Sequence, residues 1–372
     1  MLIYSKKVDE KMKLFGTLNN IPSDEDELLT YTDGEGKAVE PALSLSQSFV
    51  DGGKHSIKRV EDGKEIKVFI GDVNVIPGDS SEPVPPTPVG NPYLTFSSEE
   101  PFTLSCPIGK LWDGTLEYST DTENWTEWDG SEIESSSDNK LHLRGSGNTV
   151  ITGDTGSSST PHFELTGNNI SCIGNIENLL DYQTVEDGEH PQMGFGCYGS
   201  MFYNCTSLIT APELPATTLT YSCYYNMFWN CTSLTTAPQL PATTLAERCY
   251  NNMFMDCTSL ITPPSELPAT TLAESCCVGM FYGCSSLAML PELPATTLAD
   301  YCCQGMFYDC SSIKLSTTQD ADYTTPYRIP KEGTGIDANS ALSDMFANTG
   351  GTFTGTPTIN TTYYLHKDNH IV

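Results

Sequence analysis

Cysteine is the residue type in this chain best placed to do chemistry, and its fourteen copies fall in a pattern. One series is Cys205, Cys231, Cys257, Cys284 and Cys310, and a second is Cys197, Cys223, Cys249, Cys276 and Cys302. Thiols pair as disulfides, hold zinc or act as nucleophiles. The sequence has no Cys-x-x-Cys spacing for zinc, and bonding along a ladder would demand the narrow geometry of a disulfide at every step. Ten cysteines at equivalent positions of successive copies therefore read as small apolar residues stacked in an interior. Cys277 and Cys303 each follow a ladder cysteine and are expected to point outward. They read either as a reactive pair or as two idle surface thiols.

Other candidates for chemistry are sparse. There is no Gly-x-Ser-x-Gly elbow, no phosphate-cradling glycine loop and no His-Glu-x-x-His. His366 and His370 have a helical i, i+4 spacing but sit in a polar C-terminal stretch, where solvated histidines are the plainer reading. The run Asp24-Glu25-Asp26-Glu27 lacks the alternating ligands and glycine turn of a calcium loop and reads as a solvated helix start. The Leu-Pro-Ala-Thr-Thr strings beginning at Leu214, Leu240, Leu267 and Leu293 are similar to a sortase signal, but threonine stands where that signal needs glycine and no apolar tail follows. Ser119 to Trp125 resembles the Asp-box hairpin of sialidases, yet it lacks that motif's glycine and occurs once. It reads as a lone turn with a packed tryptophan. The sequence thus predicts no catalytic residue, no metal site and no cofactor. One enzyme reading stays open, a glycan hydrolase using carboxylates of the middle region.

The candidate binding surface is aromatic. Two residues beyond each Met-Phe methionine lie Tyr203, Trp229, Met255, Tyr282 and Tyr308, and one beyond successive ladder cysteines lie Tyr198, Tyr224 and Tyr250. Stacked copies would align them in parallel ridges suited to sugar rings or a protein partner. The same positions admit a second reading, packing between neighbouring copies, as expected for Phe202, Phe228, Phe254, Phe281 and Phe307.

The element that must position these residues is a repeat. Met-Phe recurs at Met201, Met227, Met253, Met280 and Met306, at intervals of 26, 26, 27 and 26 residues. A unit this short cannot bury its own apolar face, so successive units are expected to stack as a solenoid. Leu298, Cys302 and Met306 fall at i, i+4 and i+8, as do Leu219, Cys223, Met227 and Leu245, Cys249, Met253, which predicts a short helical segment with one apolar stripe. Pro215, Pro241, Pro268 and Pro294 bar a continuous helix and fit a strand end or turn. Each unit is expected to hold one short strand, a corner and one helical or irregular turn.

The pattern Met-Phe-x-x-Cys-x-Ser-Leu, then Leu-Pro-x-Thr-x-Leu, resembles the leucine-rich repeats of BspA-like bacterial surface proteins and their relatives from gut bacteriophages. Methionine replaces that family's alanine, and Thr-Leu its Ser-Val. The resemblance covers residues 190 to 313, with a degenerate copy at Met345 and Phe346 where Thr349 takes the cysteine position. It implies a leucine-rich-repeat fold and a binding or adhesion role without naming a ligand.

Composition bounds the rest. A chain of 372 residues with 24 prolines and 30 glycines suits a multidomain, mainly β protein. The expected order is an N-terminal β-rich anchor domain (1–77), a proline-rich linker (78–92), a β-sandwich-like domain that caps the solenoid (93–190), the solenoid (191–313) and a C-terminal cap (314–372). Asp-Gly turns at Asp33, Asp51 and Asp62 mark the first domain, with Ile57 and Val60 facing Ile66, Val68 and Ile70 across a hairpin. The net charge is −30, and between Gly145 and Ile313 the only basic residue is Arg248. So anionic a surface repels nucleic acid and acidic membranes and suits cationic or neutral glycan partners. The N-terminus carries no apolar signal-peptide core. The expectation is a non-enzymatic virion fibre or decoration protein of a bacteriophage, a homo-oligomer docked on a capsid or tail protein through residues 1–77 and presenting the repeats to a host glycan or surface protein. The alternative is a bacterial cell-surface adhesin.

Overall fold

The structure of the protein is a computed structural model that describes residues 91–153, 162–329, 340–359 and 361–371, together with the backbone of six short strands within residues 3–77. It is mainly β, built of several small sheets, with one α-helix among the described residues. No helix among them is long and apolar enough to cross a membrane. The chain divides into two compact units, Met1–Pro85 and Pro86–Val372.

In the first unit β1 (Ile3–Val8) pairs antiparallel with β2 (Lys11–Thr17) and β3 (Glu27–Leu28). Of the acidic run only Glu27 is described, and it lies in this strand rather than at a helix start. A second sheet joins β4 (His55–Lys58), β5 (Glu65–Val68) and β6 (Ile76–Pro77). Ile57 lies opposite Ile66 and His55 opposite Val68, so the hairpin around Asp62 forms in the expected sense. Val60, Ile70, the Asp-Gly turns and residues 78–90 of the proline-rich stretch lie outside the described residues.

The second unit begins with two sheets that share one core. One contains β7 (Leu94–Ser97), β9 (Thr115–Ser119), β10 (Thr126–Glu127), β12 (Lys140–Ser146) and β14 (Ile170–Ile173), and the other β8 (Thr103–Ser105), β11 (Ile133–Glu134) and β13 (Glu164–Thr166). Alternation places Leu94, Phe96, Leu116, Leu141 and Leu143 of the first against Leu104, Ile133 and Leu165 of the second. Helix α1 (Asn178–Glu186), interrupted at Asp181, packs on β12. The larger sheet does not stop at the repeat boundary: β14 pairs in parallel with β15 (Leu208–Thr210), the strand of the first repeat copy.

Successive copies then lie one on the next, in parallel and in register. Single bridges join Thr218 to Thr244, Thr236 to Thr262, Glu266 to Glu292 and Thr271 to Thr297. Longer strands are rare because prolines such as Pro212, Pro215, Pro238 and Pro241 remove ladder donors. Phe202, Phe228, Phe254, Phe281 and Phe307 form a column of rings with centroids 5.4–5.5 Å apart and planes within 6°. Phe346 of the degenerate copy continues it at 5.3 Å. At the other end Phe163 closes it edge-on at 6.2 Å, itself packed on Trp128.

The segment expected to be helical is a ribbon of four-residue turns. Left-handed φ angles recur every fourth residue, at Gly196, Ser200 and Asn204, then at Ser222, Asn226 and Asn230, and so on to Ser340, Asp344 and Asn348. N–H groups alternate between two uses. Those of Met201, Tyr203 and Cys205 close turns on Tyr198, Ser200 and Phe202, and those of Tyr198, Ser200, Phe202 and Asn204 reach the next copy at Cys223, Tyr225, Met227 and Trp229, at 2.7–3.1 Å throughout. In the three central ribbons, residues 222–231, 248–257 and 275–284, every amide is satisfied, half of them between copies, which an α-helix cannot do. Glycine, asparagine, aspartate and serine at most of the left-handed positions lower the cost of that conformation. Four-residue periodicity, not the helical 3.6, aligns Leu298, Cys302 and Met306.

All fourteen cysteines are free and buried. Cys231, Cys257, Cys284 and Cys310 each donate through Sγ to the carbonyl of the preceding copy's phenylalanine at 3.0–3.1 Å, and Cys205 does the same to Phe163. Burial pushes the Cys205 and Cys223 thiols up to about 12. Cys277 and Cys303 do not point outward: each is 1% exposed, in the same inward column as Tyr198, Tyr224 and Tyr250. Their small size coincides with the entry of Tyr327, which is buried near Cys303 and donates its hydroxyl to the Pro291 carbonyl at 3.0 Å. Tyr327 comes from β18 (Tyr323–Arg328), which with β17 (Leu315–Ser316) and β19 (Thr362–His366) covers the last copies.

Candidate functional site

The four-residue ribbon decides which aromatics can meet a ligand. Within each turn the two residues after a left-handed position face the core and the next faces outward. Tyr198, Tyr224 and Tyr250 take the second inward position and are 0–2% exposed, their rings stacked at 5.7 and 6.0 Å. They are core residues, and the ligand-ridge reading is corrected for these three. The Tyr198 hydroxyl donates to the Ile176 carbonyl at 3.3 Å, whereas the buried Tyr224 hydroxyl has no partner among the described residues.

Tyr203, Trp229, Tyr282 and Tyr308 take the outward position and are half-buried. They form one column with Met255 between Trp229 and Tyr282. Tyr203 meets Trp229 edge-on at 5.5 Å, and Tyr282 lies flat on Tyr308 at 4.7 Å. Beside the rings runs a column of left-handed residues, Asn204, Asn230, Asp256, Gly283, Asp309 and Asn348. The Asp256 carboxylate accepts the Trp229 indole N–H at 3.1 Å, and Asn348 donates to Asp309 at 2.8 Å. Partial burial and the nearby Asp309, Tyr308 and Asp256 hold the Tyr282 hydroxyl above its ordinary range. The opposite edge of the ribbon carries Phe195, 77% exposed, against Tyr221, whose hydroxyl accepts from Arg248 at 3.2 Å. Phe195 and Tyr221 were not singled out in the sequence, although both occupy the outward phase of the four-residue period.

A second cluster lies on the outer side of the larger sheet. The Arg144 guanidinium is held between the rings of Trp125 and Tyr182, 4.0 and 4.5 Å from their centroids, and pairs with Glu117 at 2.8 Å. Trp125 is presented by the turn that resembles an Asp-box. Asp121 caps that turn, accepting from the backbone N–H groups of Glu123 and Asn124 at 2.9 and 2.8 Å, and these bonds hold its carboxyl well below the ordinary range. Nearby, the buried Glu177 carboxylate faces His190 Nδ1 at 2.8 Å, and burial raises its affinity for a proton. His366 lies on β19 and His370 on β20 (His370–Ile371), which pairs in parallel with β16 (Met289–Leu290), so neither is on a helix, and His366 Nδ1 lies 3.2 Å from an Asp368 carboxylate oxygen. No group of three or more His, Cys, Asp or Glu side chains among the described residues could hold a metal ion.

No family model matches the sequence, and neither a curated protein nor a solved structure is detectably similar to it.

Proposed function

We propose that the stacked copies are a leucine-rich-repeat solenoid and that the protein is a non-enzymatic adhesion component of a bacteriophage virion, a head or tail fibre or decoration protein. The repeats present the outward face of the turn ribbon to a host-surface glycan. The observation that carries this reading is the column Tyr203, Trp229, Tyr282 and Tyr308, half-buried aromatic rings held on turns that are hydrogen-bonded both within and between copies. Rings fixed in place lose little freedom on binding, and their faces and edges suit pyranose rings. The formal charge of −30 fits attachment to neutral or cationic surfaces.

In this reading residues 1–77 dock on a capsid or tail protein and the molecule is a homo-oligomer. Adsorption of the purified full chain to host cells tests the binding face. Trp229→Ala with Tyr282→Ala is expected to abolish adsorption while the melting temperature stays near wild type. Adsorption unchanged in a folded double variant would remove the ridge from consideration. Deletion of residues 1–77 is expected to leave host binding intact and to remove the protein from purified particles. Retention at normal copy number would reverse the proposed polarity.

A further inference from the structure

Between Tyr203 and Tyr308 the outward column misses a ring at one place, Met255. The rings on either side, Trp229 and Tyr282, belong to copies two steps apart, and each step is 5.4–5.5 Å in the phenylalanine column beneath them. The row between them is thus occupied by a flexible thioether with an aromatic residue on each side. Asp256, the next residue, stands in the same row. Its Oδ2 accepts the Trp229 indole N–H at 3.1 Å, and its backbone N–H is fixed on the Tyr282 carbonyl at 2.7 Å. Its Oδ1 lies where a side chain at residue 283 would stand, and residue 283 is glycine with φ of 74°. Only a residue without Cβ leaves the carboxylate this place.

Asp256 has no ion-pair partner among the described residues, and Arg248 is engaged with Tyr221 and Glu247 at the other edge of the ribbon. A carboxylate flanked by aromatic rings and lacking a counter-ion is a receptor for an organic ammonium group. An aromatic ring attracts a cation to its face, and a carboxylate accepts the cation's N–H hydrogens. We propose that the row formed by Trp229, Met255 and Tyr282, with Asp256 as its anion, takes the ammonium group of an amino sugar in the host glycan. The assignment rests on the glycan reading above and adds the chemistry of the sugar. A cationic peptide would satisfy the charge, but a column of rings repeated at copy spacing fits a chain of sugar rings better.

The test is calorimetric titration of the full-length protein with glucosamine hexamer, its fully N-acetylated counterpart and hexalysine. The glucosamine hexamer is expected to bind and to weaken as salt rises, and the N-acetylated hexamer to bind at least about tenfold more weakly, the scale of one charge-assisted hydrogen bond. Asp256→Asn keeps an acceptor for Trp229 and is expected to erase that preference at unchanged melting temperature. Should Asp256→Asn fail to fold, Met255→Trp puts a third bulky ring in the row and is expected to block the amine form. Equal binding of both hexamers overturns the ammonium assignment and leaves the glycan reading standing. Binding of hexalysine as tight as glucosamine hexamer overturns the sugar. Binding of neither hexamer, with host adsorption intact, overturns this proposal and moves the ligand to another class.

Discussion

Substitution at the left-handed positions separates the turn ribbon from a helix by the sign of the effect. Asp344 has φ of 54°, is exposed, and makes no side-chain hydrogen bond among the described residues, so a change there acts mainly through the backbone. An L-residue pays about 1–2 kcal/mol to hold this conformation, aspartate somewhat less, and glycine almost nothing. Asp344→Gly should therefore be within about 0.5 kcal/mol of wild type or more stable, while Asp344→Ala should be about 1 kcal/mol less stable. In a helix the order inverts, since alanine is favoured over glycine by about 1 kcal/mol. Arg248, with φ of 58°, gives an independent site. Arg248→Gly is expected to gain about 1 kcal/mol, less the small worth of its exposed contacts with Glu247 and the Tyr221 hydroxyl. Urea unfolding monitored by fluorescence, with matched m-values, resolves differences of this size. Alanine at least as stable as glycine at both positions would refute the turn ribbon.

Phe254→Ala, which removes a fully buried ring stacked on two others, should cost about 3–5 kcal/mol in urea unfolding. Tyr224→Phe deletes a buried hydroxyl without a partner among the described residues and should raise stability by about 1 kcal/mol, and a loss of that size would mean the hydroxyl is bonded. A thiol reagent should find no reactive cysteine in the native protein and fourteen after denaturation without reductant, with mass spectrometry showing no disulfide. Burial raises the Glu177 carboxyl above its ordinary 4.5, so the folded state binds the proton more tightly than the unfolded chain. Its favourable contribution is complete below 4.5 and is lost as pH rises through the raised value, so Glu177→Gln should flatten the fall in stability from mildly acidic to neutral pH.

The repeat interval, the equivalence of the two cysteine series and the phenylalanine column were legible in the residues, because in-register stacking writes the same residue at the same position of each copy, and the mainly β class was legible in the composition. Phe202 to Phe307 could only be a column if the copies stack. What the residues did not settle was the local path of the backbone. Spacings of i, i+4 and i+8 satisfy a helix over two turns as well as a ribbon with period four, and only the hydrogen bonds between copies favour the ribbon. That choice sorted the aromatics and the cysteines together. Tyr198 precedes Phe202 by four and Cys277 precedes Phe281 by four, so both face the core, while Tyr203 and Tyr282 are one residue out of that phase and face outward. The left-handed residues at every fourth position were the available signal. Their meaning depends on neighbours about 26 residues away that supply the carbonyls, and that is information held by the tertiary structure rather than by any single segment.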